Sequence, residues 1–178
     1  MLSGKKHKQF CDIIRRRFSL AGTVFCRSGK KEGSNRIMEN IMLIDNELKA
    51  EDFVMLREKA GVLQIPMEQA EKAINNSLFV VSAICEGRTI GMGRLVGDGA
   101  MYWYLQEIVV LPEYQGKGIG AKIVKKLIRY VEENGIPETK MTIGLMAAKG
   151  KEPFYEKLGF MSVPDDGAGS GMRMYIQL

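Results

Sequence analysis

Histidine and cysteine are scarce in this chain of 178 residues. The one histidine, His7, and two of the three cysteines, Cys11 and Cys26, fall within the first 26 residues, and beyond them only Cys85 remains. The rest of the chain therefore cannot assemble a Ser-His-Asp or Cys-His nucleophile. It cannot build a His/Cys zinc site either, so no metal is expected. An odd, scattered set of cysteines is no disulfide framework and fits a reducing compartment, with the cytoplasm as the expected location. No apolar run approaches the roughly 18 residues of a membrane span, and no membrane partner is expected. What is left for chemistry is carboxylates, hydroxyls, backbone amides or a bound cofactor.

A net positive charge is missing from most of the chain as well. Residues 1–36 hold ten Lys or Arg against two Asp or Glu, a net of +8; the other 142 residues hold 16 against 19, a net of −3. The sequence pI near 9.1 thus describes a leader rather than a domain. Lys5, Lys6, Lys8 and Arg15-Arg16-Arg17 could touch nucleic acid or an anionic surface. The apolar stretch after them is broken by Ser19, Gly22 and Thr23, a poor match to a signal peptide. Residues 1–36 read as a disordered leader, with a natural start at Met38 and a nucleic-acid partner not expected. Residues 37–178 read as the domain. Their composition contributes to a chain that is 46% hydrophobic and 26% charged, as in ordinary globular proteins.

Strand and helix patterns alternate from Ile37 onward. Ile41–Ile44 reads as a strand ended by Asp45-Asn46. Phe53, Val54, Leu56 and Ala60 stand at helical spacing over 50–61, stopped by Gly61, and a second helix follows Pro66 to about Asn75. Leu78–Cys85 and Thr89–Val96 form a hairpin across Glu86-Gly87. Met101–Leu111 is a long strand. Ile119, Ile123, Val124, Leu127, Ile128 and Val131 mark one face of a helix over 118–134, opposite Lys122, Lys125, Lys126 and Arg129. Met141–Met146 reads as a strand and Glu152–Leu158 as a short helix. Phe160–Val163 and Met172–Leu178 read as final strands around the loop 164–171.

Between the long strand and the long helix runs Gln115-Gly116-Lys117-Gly118-Ile119-Gly120. A strand, a glycine turn and a helix N-terminus make an anion site, because free amides point outward and the helix dipole adds about half a positive charge. Glycine lets a ligand approach the backbone. The spacing of a P-loop is absent. Gly116, Gly118 and Ala121 satisfy the loose dinucleotide-binding form. Against it, the loop follows several strands, and the next strand ends in Ala147-Ala148 without an acid for a ribose. A bare helix-starting turn also stays open.

Gln115-x-x-Gly118-x-Gly120 after Ile-Val-Val-Leu-Pro resembles the pyrophosphate loop of the GNAT superfamily of N-acetyltransferases. Phe154-Tyr155-Glu156-Lys157-Leu158-Gly159-Phe160 resembles the helix and strand that follow it there, in the same order and separation. The resemblance covers roughly residues 38–178. It implies an α/β (α+β) fold with a mixed, mostly antiparallel central sheet and about four helices. It implies acetyl-CoA as donor and an amine, of a small molecule or a protein N-terminus or lysine, as acceptor. The amides of Gly116, Lys117, Gly118, Ile119, Gly120 and Ala121 would hold the pyrophosphate, with Gln115 at the motif's Arg-or-Gln position. The backbone of Ile108, Val109 and Val110 would pair with the pantetheine arm like an added strand. Many members carry an Asn seven residues before the tyrosine; here Ala148 stands there, so that hydrogen bond must come from elsewhere.

Amine acetylation sets two further demands. An alkylamine has a pKa near ~10, so removing its proton at pH 7 costs about 4 kcal/mol. Glu107, in an apolar and aromatic strand, is the candidate base, directly or through water. The alternative is a solvated or ion-paired carboxylate. Some polyamine-acetylating members carry acids at this place. Alternation puts Leu105, Glu107 and Val109 on one face and Gln106, Ile108 and Val110 on the other. Tyr155 holds the family's proton-donor position for the departing thiolate; the plainer role is packing on the short helix. Tyr102, Trp103 and Tyr104 read as core or pocket wall, with one of them against the substrate. Lys117 or Lys122 could approach the adenosine phosphates, and Asp165-Asp166 could attract a cation. With no Cys-His pair to carry an acyl group, direct attack follows. A non-catalytic CoA- or nucleotide-binding regulatory module is the alternative, and a homodimer stays open.

Overall fold

Strand residues that alternate and helix residues that recur every three or four positions each bury one face, and here those faces meet in three layers. The computed structural model describes residues 40–176, which fall in one unit of chain, Gly33–Leu178. The basic leader lies outside the described residues. In chain order the elements are β1 (Ile41–Asp45), α1 (Ala50–Lys59), α2 (Met67–Asn75), β2 (Phe79–Cys85), β3 (Arg88–Gly97) and β4 (Tyr102–Val110). A 3-10 turn (Pro112–Tyr114), α3 (Ile119–Asn134), β5 (Thr142–Leu145) and α4 (Glu152–Glu156) follow. The sheet runs in the order β1-β2-β3-β4-β5. Its first four strands are antiparallel and β5 is parallel to β4. No helix among the described residues is long and apolar enough to cross a membrane.

The β2–β3 hairpin turns on two residues, and both Glu86 and Gly87 have positive φ, 50° and 77°. That is the twist a two-residue hairpin needs. Helix α3 lies on one sheet face through buried Ile119, Ile123, Val124, Leu127 and Val131. It comes so close that a Cβ at Gly93 would stand 2.6 Å from Ile123 Cγ2 and 3.1 Å from Leu127 Cδ1. Tyr130 of α3 stacks on Phe79, centroids 4.1 Å apart, and meets the edge of buried Trp103. The other face is covered by α1 and α2 with buried Phe53, Leu56 and Ala70. Trp103 is thus core. Tyr102, 61% exposed, and half-buried Tyr104 lie on the face away from α3.

Two expectations are corrected. Residues 160–176 form no strand. Met161, Val163, Met172, Met174, Tyr175 and Ile176 are exposed. An alternating apolar sequence makes a strand only against a partner edge, and here none is engaged. The second correction concerns the faces of β4. Gln106 pairs with Arg94 and Val109 with Met92, so Glu107 and Ile108 together oppose Gly93. Glu107 takes up the extra residue with φ 55°. This is a β-bulge, and it reverses the alternation beyond it. Leu105 therefore shares the α3 face with Ile108 and Val110, whose side chains reach the positions of Gly93 and Gly91. Gln106 and Val109 lie on the other face, where Glu107 meets α1.

Candidate active site

The site is assembled where β4 and β5 part. Their ladder runs from Tyr102↔Thr142 to Leu105↔Leu145 and stops there, at the bulge. Residues 106–110 of β4 therefore have β3 on one side and, among the described residues, no strand on the other. The Leu111 amide donates to Ile90 O on β3, so by alternation Ile108 and Val110 turn their backbone groups to the open edge. Val109 O points instead toward Gly91. Of the three residues expected to pair with a pantetheine arm, Ile108 and Val110 offer that edge, although Val110 O already accepts from Gln115 Nε2.

Val110 leads into the glycine loop. Gln115 N–H donates to Pro112 O and Lys122 N–H to Gly118 O. Between them the amides of Gly116, Lys117, Gly118, Ile119, Gly120 and Ala121 donate to no backbone group among the described residues. No side chain caps α3. Gly116 and Gly118 have φ of 73° and 75°, and no heavy atom lies within 4 Å of where their Cβ would be. Residues in this left-handed region with a Cβ carry a cost of about 1–2 kcal/mol. Two side chains brace the loop. Gln115 Nε2 donates to Val110 O at 2.9 Å, and Lys117 Nζ to Glu113 O at 3.0 Å, over the Tyr114 ring. Lys117 is thus folded back, and Lys122 is exposed on the helix. What remains is a run of six amides without a backbone partner among the described residues, at a helix N-terminus.

Helix α4 closes in from the side. The Phe154 ring comes within 3.4 Å of the Cβ position of Gly120, which sets α4, with Tyr155, against that loop. Tyr155 packs edge-on between Phe154 and Phe160, at 4.9 Å and 5.9 Å. Its hydroxyl has no hydrogen-bond partner among the described residues, and burial pushes it above the ordinary tyrosine value. It is therefore a phenol, proton in place, at any pH near neutrality. Ala148 lies in the turn before α4, where its carbonyl accepts from Lys151 N–H.

Glu107 is ion-paired. Arg57 of α1 donates Nη1 to Glu107 Oε1 and Nη2 to Leu63 O, so it joins the bulge to the loop between α1 and α2. Both side chains are largely shielded, 11% and 13% exposed. Glu107 Oε2 takes no hydrogen bond among the described residues. A second guanidinium, Arg94 of β3, lies on the Phe53 ring at 5.9 Å as Arg57 does at 5.8 Å. Burial lowers the Arg94 value, Glu107 opposing and Arg57 adding to the effect. Neither arginine was singled out from sequence, although Arg57 follows Phe53 by four residues and so sits on the inner face of α1. The Cys85 thiol is buried and pushed up by that burial, foremost, and by Glu86. A thiol held protonated is a poor nucleophile. Asp165 is spent within its own loop, on Gly167 N–H.

The chain matches the family model described as an acetyltransferase (GNAT) domain over residues 45–175. It is 30% identical over 147 residues to a protein of Glycine max named as a histone acetyltransferase, covering 76% of this chain and 62% of that one. It is 27% identical over 118 residues to an uncharacterized N-acetyltransferase of Pyropia yezoensis, covering 64% and 66%. It thus spans under two thirds of the length of both relatives. A crystal structure of a probable acetyltransferase from Staphylococcus aureus superposes with a TM-score of 0.68 at 30% identity, over 76% of this chain and 99% of that one.

Proposed function

The chain belongs to the GNAT acetyltransferase family, and from that premise we propose that it is an acetyltransferase that moves acetyl from acetyl-CoA to a primary amine by direct attack. One observation carries the reading. The amides of residues 116–121, unpaired among the described residues, follow directly on the stretch of β4 that β5 leaves uncovered, and the Phe154 ring beside Gly120 sets α4, with Tyr155, against that loop.

The residues fit the donor. The run of amides suits a pyrophosphate, and the β4 edge suits an amide-bearing arm laid along it as a strand. Bound acetyl-CoA supplies a thioester carbonyl open to a nucleophile and a thiolate leaving group. Glu107 Oε2 is available to hold the acceptor amine and to take its proton, directly or through water, while Arg57 keeps Oε1. Tyr155 keeps a proton on its hydroxyl for the departing sulfur; a positioned acid of this kind contributes about 10²–10⁴-fold. Cys85, buried and protonated, offers no acyl carrier. The acceptor is a small-molecule amine or a protein amine; the Glycine max relative is named for the latter class.

Titration calorimetry with acetyl-CoA, followed by thiol release against a panel of amines, tests the reading. Binding with amine-dependent thiol release is expected. Binding with no release for any amine would leave a CoA-binding regulatory module instead.

A further inference from the structure

Glu107 does not stand alone, and its partners set what it can attract. Its Oε1 accepts from Arg57. Arg94 adds a second positive group across the Phe53 ring, close enough that Glu107 bears on its titration. Arg94 spends Nη1 on Ala73 O and Ser77 Oγ, at 3.4 Å and 3.2 Å, and no carboxylate. Two guanidiniums therefore face one carboxylate in a largely shielded place. A carboxylate so covered still accepts a hydrogen bond through Oε2, but its local charge is balanced to positive rather than negative.

We propose that Arg57 is a positioning and specificity-determining residue that aims Glu107 at the acceptor and, by covering its charge, restricts the acceptor to amines bearing no second positive charge nearby. This rests on the proposed role of Glu107 in holding the amine. Two physical arguments carry it. Arg57 is fixed at both ends of its fork, to Glu107 on the bulge and to Leu63 O on the α1–α2 loop, so Oε2 is left as the carboxylate's one open acceptor oxygen. A polycation gains from a site only where negative charge exceeds positive, and here the cluster sums the other way. Substrates are told apart by such uncompensated charges as much as by attraction.

The readout is the ratio of kcat/KM for a linear monoamine to that for a triamine such as spermidine, with their dissociation constants by calorimetry. Structural damage lowers both substrates alike and leaves the ratio unmoved. Wild type is expected to favour the monoamine. Arg57→Met keeps the aliphatic stem and uncovers the carboxylate; it should shift the ratio toward the triamine by about tenfold or more, in kcat/KM and in binding, with acetyl-CoA affinity within about twofold. Arg57→Lys keeps the charge and should restore most of the wild-type ratio, which guards against a Met variant that folds poorly. A ratio unchanged in a folded Arg57→Met variant, or changed equally by Lys and Met, overturns the proposal. A wild type that acetylates no amine overturns the function on which it rests, a separate result. If wild type is active and Glu107→Gln leaves both substrates untouched, Glu107 does not hold the amine and the proposal falls while acetyl transfer stands.

Discussion

Tyr155 and Gly118 can each be tested by removing one property and keeping the rest. Tyr155→Phe keeps the ring that packs on Phe154 and Phe160 and deletes the hydroxyl. The single-turnover rate should fall about a hundredfold or more, with acetyl-CoA affinity within severalfold; a wild-type rate would make Tyr155 a packing residue. Burial holds the hydroxyl above its ordinary value. Its donor form is therefore complete at neutral pH and is lost only as pH rises through that raised value. No fall in rate traceable to Tyr155 should occur below pH ~10, which a profile of Tyr155→Phe against wild type checks. At Gly118, φ is 75° and the space ahead is open. Gly118→Val should cost about 1–2 kcal/mol of stability and weaken acetyl-CoA binding far more than it lowers the melting temperature. Unchanged affinity by calorimetry would place the cofactor elsewhere.

Elements were legible where their own residues decide them. The face of α3 follows from Ile119, Ile123, Val124, Leu127, Ile128 and Val131; five of the six are buried and Ile128 is half-buried at the margin. The glycine loop and α4 fall where their motifs stand. The bulge at Glu107 was not legible, because it depends on how β4 lines up with Gly93 of another strand. It moved Ile108 and Val110 to the α3 face and turned Glu107 toward α1. Arg57 was hidden for a related reason: only the fold brings residue 57 to residue 107. The final strands were over-read, since alternation in Met172–Ile176 says nothing of a partner edge. Gly93 offers the test at this scale. A Cβ there would meet Ile123, Ile108 and Leu127 at 2.6–3.1 Å, so Gly93→Val should overpack the α3 interface by about 1–3 kcal/mol. The melting temperature should drop by several degrees; no drop would mean α3 can lift from the sheet.

At the scale of the whole molecule, the sheet, the α1–α2 layer and α3 are built, among the described residues, from residue 41 onward. A chain beginning at Met38 should therefore keep the melting temperature and turnover of the full chain, and a loss of several degrees would give the basic leader a structural part. The reaction itself is tested most directly by rapid quench with acetyl-CoA labelled in its acetyl group and the best amine of the panel. The expected result is label appearing on the amine in step with free CoA thiol, one for one, with none on the protein at any time. Label building up on the protein before the amine, or thiol released without labelled amine, would contradict direct transfer.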